Sequence, residues 1–308
     1  MELTGTEEEY STYRPLLFSL AYRMLGSVVE AEDVVQEAFL YVNESKPDHI
    51  LNPKAYLCKI VTHRCIDHLR SASKQREVYV GPWLPEPLVV NEAPRKGPDE
   101  LYTHKESLST AYLLLLQQLS WTERAVFLLR EVLQYEYNEI ADIVDKSSAN
   151  CRQIFRRAKQ ALTRVPNPDT DPEQAASPIT SVAEEPAASA VDQFVQALLT
   201  GDVNRLLNII KTDAVLYSDG GGKVNAAVRP ILGAERIAMF FSNLVAKTVE
   251  GFSYSVTTVN GDTGIVTYTN GQPLNVVTFQ VQEGQISGIY LVVNPDKLKH
   301  IPALRLDT

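Results

Sequence analysis

Up to about residue 165 the apolar positions recur at intervals of three and four, the period of a helix with one buried side. Beyond residue 250 they alternate, the period of strands. The first regime predicts a helix over Glu7–Leu25, with Tyr10, Tyr13, Leu17, Leu20, Ala21 and Met24 inward. Gly26-Ser27 breaks it, and a second helix over Val28–Tyr41 carries an apolar stripe of Val34, Val35, Ala38 and Phe39. Pro53 suits a helix start, and Lys54–Arg70 then separates Leu57, Cys58, Val61, Cys65, Ile66 and Leu69 from an outer face. Further helices are expected over Leu108–Leu119 and Trp121–Leu133, the latter capped by Ser120. Tyr137–Val144 and the stretch after Ser147-Ser148 form a pair of short helices separated by a polar break.

The last third reads differently. Helices at Ala188–Leu199, Val203–Ile210 and Gly233–Val245 accompany strands at Ala214–Ser218 and Val224–Val228. Four alternating runs follow: Phe252–Val259, Gly264–Thr269, Leu274–Val281 and Gln285–Val293. Asn260-Gly261-Asp262, Asn270-Gly271-Gln272-Pro273 and Glu283-Gly284 are hairpin turns. Helices laid on a curved antiparallel sheet predict an α+β cone. Two stretches have no periodicity. Residues 78–105 are dense in proline, which forbids a helix, yet hold Trp83, Leu84, Leu88 and Val89, groups that dock on something. Residues 166–186 are rich in Pro, Ser, Ala and acids, a flexible boundary. The expected organisation is therefore 1–77, a tether at 78–105, 106–165, a linker at 166–186, and 187–308.

Charge sharpens this picture. Across its 308 residues the chain carries 29 Lys+Arg against 38 Asp+Glu, a formal net charge of −9, unusual for a nucleic-acid binder. The charge is uneven, however. No acid occurs between Lys146 and Val165, whereas Glu30, Glu32, Asp33 and Glu37 crowd the second helix, a surface for a basic partner. Cys58, Cys65 and Cys151 are odd in number and scattered, which suits reduced thiols rather than a disulfide framework. With no leader and no apolar run long enough for a bilayer, the expectation is a soluble, cytoplasmic protein.

The helix pair at 137–165 has the layout of a helix-turn-helix: Cys151, Ile154, Phe155, Ala158 and Leu162 lock the second helix down, while its polar side is free for a major groove. Ser148, Asn150, Arg152, Gln153, Arg156, Arg157 and Lys159 are its candidate contacts, arginines for phosphates or guanine edges, Asn150 and Gln153 for bases. The outer face of Lys54–Arg70, with Tyr56, Lys59, His63, Asp67 and Arg70, mixes basic and aromatic groups as a DNA face requires. A competing zinc site of Cys58, His63, Cys65 and His68 fails on geometry, since one rigid helix points the histidines away from the cysteines.

Three blocks in order carry a resemblance: AYRMLGSVVEAEDVVQEAFLYV, NPKAYLCKIVTHRCIDHLRS, and LSWTERAVFLLREVLQYEYNEIADIVDKSSANCRQIFRRAKQAL. They resemble an RNA polymerase sigma factor of the extracytoplasmic-function type over both of its conserved domains. The resemblance implies that Asp33, Gln36 and Glu37 meet the clamp helices of the polymerase β′ subunit. It implies that Tyr56, Lys59, His63, Arg64, Asp67 and Arg70 help melt and read the −10 element, and that residues from Ser148 to Lys159 read the −35 element. Asp145 departs from the pattern, standing where the family usually has glycine between the two helices. Ile154 departs too, where a basic residue is common.

The last third resembles the SnoaL-like branch of the nuclear transport factor 2-like fold. Sigma factors with such an extension form a subgroup whose marks occur here: WLPEPL (Trp83, Leu84, Pro85, Glu86, Pro87, Leu88), DGGGK (Asp219, Gly220, Gly221, Gly222, Lys223) and NPDKL (Asn294, Pro295, Asp296, Lys297, Leu298). The fold class expected is thus multidomain, two all-α sigma domains followed by an α+β cone, with core polymerase and promoter DNA as partners and regulation in cis by the cone. The physical hypothesis is that DGGGK docks on the tether with NPDKL holding it. Two other readings stand beside this one: a one-component ligand-binding regulator, and a SnoaL-like enzyme fused to a DNA-binding module. For the enzyme, Tyr217, Asp219, Tyr254 and Tyr268 offer no clear acid–base pair, and the lone histidine, His300, follows the sheet. For a ligand pocket, Phe240, Phe241, Tyr254, Phe279 and Tyr290 are the expected lining. No catalytic residue, cofactor or metal is assigned.

Overall fold

A computed structural model describes residues 7–45, 50, 52–76, 79–90, 108–163, 184–246 and 250–304. The flexible boundary expected at 166–186 lies almost wholly outside the described residues, as does the tether beyond Val90. The chain divides into two compact units. One comprises residues 1–77, 94–106 and 112–178; the other comprises residues 78–93, 107–111 and 179–308.

The first unit is helical. Helices α1 (Glu7–Leu25), α2 (Val28–Ser45) and α3 (Pro53–Arg76) pack by their expected stripes. Leu17, Leu20, Ala21 and Met24 of α1, Val34, Val35, Ala38 and Phe39 of α2, and Leu57, Cys58, Val61, Cys65 and Leu69 of α3 are buried. Ile66, expected inward, is only half-buried; Thr62 takes a core position instead. Helix α4 (Thr110–Gln117) follows, then α5 (Trp121–Phe127), which starts on a capping box between Ser120 and Glu123 and relaxes into a π-helical turn at Leu128–Val132. Helices α6 (Tyr137–Val144) and α7 (Ser148–Thr163) complete the unit.

The second unit has α8 (Glu184–Thr200), α9 (Val203–Ile209) and α10 (Ala234–Val245), and strands β2 (Ile210–Asp219), β3 (Ile231–Leu232), β4 (Phe252–Val259), β5 (Asp262–Thr269), β6 (Gln272–Gln282) and β7 (Gln285–Val292). The strand expected at Val224–Val228 does not form. That stretch is bend and coil, and the partner of β2 is the two-residue β3 further on, after Pro230. The sheet, which also includes β1 (Val89–Val90), runs β1-β4-β5-β6-β7-β2-β3, parallel only between β2 and β7. Its edge strand β1 comes from the tether and pairs antiparallel with the end of β4, Val89 opposite Val259. The three hairpins turn on left-handed pairs, Asn260-Gly261, Asn270-Gly271 and Glu283-Gly284, matching the right-handed twist of their strands. Register shifts in β6 against its neighbours on both sides curve the sheet. Phe194, Phe241 and Phe279 meet edge-to-face between helices and sheet. This is the expected α+β cone.

Candidate functional site

Three surfaces of the helical unit carry the polar chemistry. On α2, Asp33, Gln36 and Glu37 are exposed together, one turn from exposed Leu40. Spacings of three, four and seven put all four on one stripe.

On α7, Asn150, Arg152, Gln153, Arg156, Arg157 and Lys159 are exposed, while Cys151, Ile154 and Ala158 are buried. The sequence separated these two sides correctly. Ser147, rather than Ser148, supplies the cap, its hydroxyl accepting from the Asn150 amide at 3.2 Å. Ser148 sits half-buried as the first residue of the helix. Arg152 lies over the Tyr137 ring at 5.1 Å. Arg157 and Lys159 face Glu123 and Glu131 at 3.7 and 3.5 Å.

The third surface, the outer face of α3, is already engaged. Lys59 donates to the Asp142 carbonyl at 2.7 Å and to the Asp145 carboxylate at 2.6 Å. His63 donates to the Ile143 carbonyl at 2.8 Å. Arg64 pairs with Glu37, joining a residue expected on DNA to one expected on polymerase. Asp67 and Arg70 pair with each other at 3.3 Å, and Arg70 lies over Trp121 at 5.9 Å. Tyr56 is half-buried. The zinc alternative does not assemble: Cys58 and Cys65 are fully buried, whereas His63 and His68 face outward, His68 against Glu30 at 3.1 Å. Burial pushes the Cys58 thiol up to about 11, so it is not a reactive thiolate.

A fourth site lies in the second unit, around Asp219. Its side chain is fully buried and accepts four hydrogen bonds: from the Tyr79 hydroxyl at 2.5 Å, the Gly221 amide at 3.0 Å, the Leu84 amide at 2.8 Å and the Lys297 ammonium at 2.8 Å. Two of these donors belong to the tether. Lys297 also donates to the Leu84 carbonyl and lies over the Trp83 ring at 4.0 Å, a desolvated cation–π contact. Burial and the bond to Asp219 push the Tyr79 phenol far above its ordinary range. Asn294 caps the 3-10 turn Pro295–Leu298 and donates to the Tyr79 hydroxyl at 3.1 Å. Asp296 pairs with Lys223 and with Lys299, which hold its carboxyl down near 2.

The glycines are needed for close approach. Gly221, at φ +58°, has the Asn294 side chain where its Cβ would stand, and Gly222, at φ +72°, has Val80 of the tether at 3.2 Å. WLPEPL, DGGGK and NPDKL therefore converge. Sequence reasoning missed the rest of the clamp. Asn260 bonds Leu88 twice, accepting from its amide at 2.7 Å and donating its own amide to the carbonyl at 2.9 Å. It also donates to Thr110 at 3.1 Å, and Thr110 shares a 2.9 Å bond with Thr278. His300 donates to the Pro87 carbonyl at 2.7 Å. Asn260 looked like a turn residue, as it also is; nothing nearby in sequence marks the second role.

The expected pocket residues do not line one cavity. Phe241 and Phe279 fill the core with Phe240 against them. Tyr290, between core residues Ile289 and Leu291, points to the opposite face of β7 and stacks on Tyr217 at 5.8 Å. Tyr254 is exposed.

An acidic stripe on one helix, a basic and aromatic face on the next and a helix-turn-helix beyond them are the features of a promoter-recognition subunit of RNA polymerase. Residues 10–75 match sigma-70 region 2 and residues 109–162 match sigma-70 region 4. The chain belongs to the extracytoplasmic-function RNA polymerase sigma factors. It is similar to sigma factor SigJ of Mycobacterium tuberculosis, 30% identical over 96% of this chain and 93% of the relative. It is also similar to the probable sigma factor SigI of the same species, 26% identical over 96% and 95%. The crystal structure of M. tuberculosis SigJ superposes with a TM-score of 0.71 at 25% identity, covering 95% of this chain and 98% of that one. The protein is an alternative sigma factor that binds core RNA polymerase and promoter DNA and directs transcription initiation. It is not an enzyme, and the one-component regulator gives way to this assignment. No helix among the described residues is long and apolar enough to cross a membrane.

Proposed function

We propose that the C-terminal cone regulates this sigma factor in cis by holding the tether between regions 2 and 4. The observation that carries this is the Asp219 carboxylate, buried with two tether donors and one cone cation on it. With residues 79–90 and 108–111 bound to the cone, the connection loses most of the freedom it needs to let the two readers reach separate promoter elements. The contact is intramolecular, so its effective concentration is high and modest intrinsic affinity suffices. Release of the tether, by polymerase, DNA or a ligand of the cone, is then the activating step.

In this reading Asp33, Gln36 and Glu37 meet the β′ clamp helices, with Leu40 as their apolar neighbour. Tyr56, Lys59, His63, Arg64, Asp67 and Arg70 serve the −10 element; Asn150, Arg152, Gln153, Arg156, Arg157 and Lys159 serve the −35 element. Run-off transcription with core polymerase tests the regulation. Asp219→Ala should raise output several-fold over the full chain. Output unchanged by Asp219→Ala, and unchanged again when residues 167–308 are removed, overturns it.

A further inference from the structure

The turn of the helix-turn-helix is unusual for what it holds. Asp145 ends α6 in the left-handed conformation, φ +51° and ψ +53°, and its amide bonds back to the Ala141 carbonyl. The Lys146 amide reaches the same carbonyl. The carbonyls of Asp142 and Ile143 are left over by this cap, as the last turn of any helix leaves some, and the helix dipole makes that end negative. Lys59 and His63 take those two carbonyls at 2.7 and 2.8 Å. The Asp145 carboxylate adds a full charge, 2.6 Å from Lys59 on one oxygen and 3.4 Å from His63 on the other. The Asp145 carboxyl is lowered, first by the hydrogen bond from Lys59, so it is ionised at neutral pH.

We infer that Asp145 and the C-terminal turn of α6 imitate a nucleic-acid phosphate and occupy Lys59 and His63 until promoter DNA displaces them. The inference rests on the assignment of the α3 outer face to DNA given above, and it names what occupies that face at rest. The chemistry matches at both ends. Carbonyls and a carboxylate offer the same acceptors as phosphate oxygens, and a lysine with a neighbouring histidine is a phosphate-binding pair. The latch is built to open. Lys59 and Asp145 stay 40% and 60% exposed, so water and salt compete with it, and exposed pairs are individually weak. A glycine in this turn would satisfy the backbone and leave Lys59 facing only carbonyls.

The test uses the full chain and a mixed-sequence single-stranded oligonucleotide as probe, followed by anisotropy over a salt series. Asp145→Asn and Asp145→Gly both suit a left-handed residue and both remove the charge. Each should tighten binding about 3–10-fold and steepen the salt dependence by about one unit, as one released cation adds one phosphate contact. In a Lys59→Met background either substitution should gain far less, because only His63 is left to release. Equal gains with and without Lys59 would mean that Asp145 merely repels DNA, and would overturn the latch. So would a gain from Asp145→Gly alone, which would make the effect one of backbone strain. If Asp145→Asn changes nothing while Asp219→Ala still raises transcription, the latch fails and regulation by the cone stands. If Lys59→Met does not weaken probe binding even with Asp145→Asn, the assignment of the α3 face to DNA fails instead.

Discussion

The two units each contain an aspartate that holds a lysine, and the two pairs are opposites. Asp219 and Lys297 have side chains 0% and 8% exposed; Asp145 and Lys59 have side chains 60% and 40% exposed. The buried carboxylate is satisfied by four donors, and its lysine is covered by Trp83 and Tyr79. The exposed carboxylate relies on one lysine and a histidine. Burial makes the first pair a fixture, because opening it strands a charge away from water. Exposure makes the second a contact that competing phosphate can replace. The same chemistry serves as anchor in one place and latch in the other, and solvent access decides which.

Breaking the anchor should give the largest effect. Lys297→Met leaves Asp219 buried without its cation and should cost about 3–5 kcal/mol, read as a lower thermal midpoint of the second unit's transition. A drop within error would place Asp219 in contact with solvent and dissolve the contrast.

A third aspartate sharpens it. Asp262, at the head of β5, has its carboxyl raised to about 6, with burial as the sole cause. A raised folded value means that the folded state holds its proton more tightly. Stability is therefore full below about pH 4 and falls as pH rises to about 6. Asp262→Asn should remove that slope and stabilise the chain at pH 7 by on the order of 2 kcal/mol. A midpoint-versus-pH curve for both chains checks this; parallel curves would count against it. A buried carboxylate with four donors thus belongs to the fold, while a half-buried one without them weakens it.

Asn260→Gly keeps the left-handed turn but leaves the Leu88 amide without its side-chain acceptor. The expected cost is about 1–2 kcal/mol, with faster amide exchange at Leu88 as the local readout. The smallest effect on stability belongs to the latch: Asp145→Asn should shift the thermal midpoint by the equivalent of less than about 1 kcal/mol, although it changes DNA binding several-fold. A large destabilisation by Asp145→Asn would make Asp145 structural.

Much of this architecture can be read from residues alone. Asn-Gly pairs announce hairpins because both residues accept the left-handed backbone, and Gly284 marks the third turn for the same reason. The stripes of α2, α3 and α7 predict their buried sides because helical spacing is local. The convergence of WLPEPL, DGGGK and NPDKL was legible only through resemblance, since nothing in Lys297 itself says that it is buried. The tether contacts of Tyr79, Asn260 and His300 escaped notice because their partners lie 140, 172 and 213 residues away. The strand expected at Val224–Val228 rested on two valines separated by small residues, too little apolar surface to hold an edge. Asp145 was visible as a departure from the family pattern, but its partner on α3 was not, because a turn residue carries no sign of what packs across from it.

Amide exchange at Leu84 and Leu88, measured in the free protein and after addition of core polymerase with promoter DNA, tests the central claim most directly. Regulation through a held tether predicts slow exchange at both amides in the free chain and fast exchange in the initiating complex. Protection that persists unchanged while transcripts are being made would contradict it.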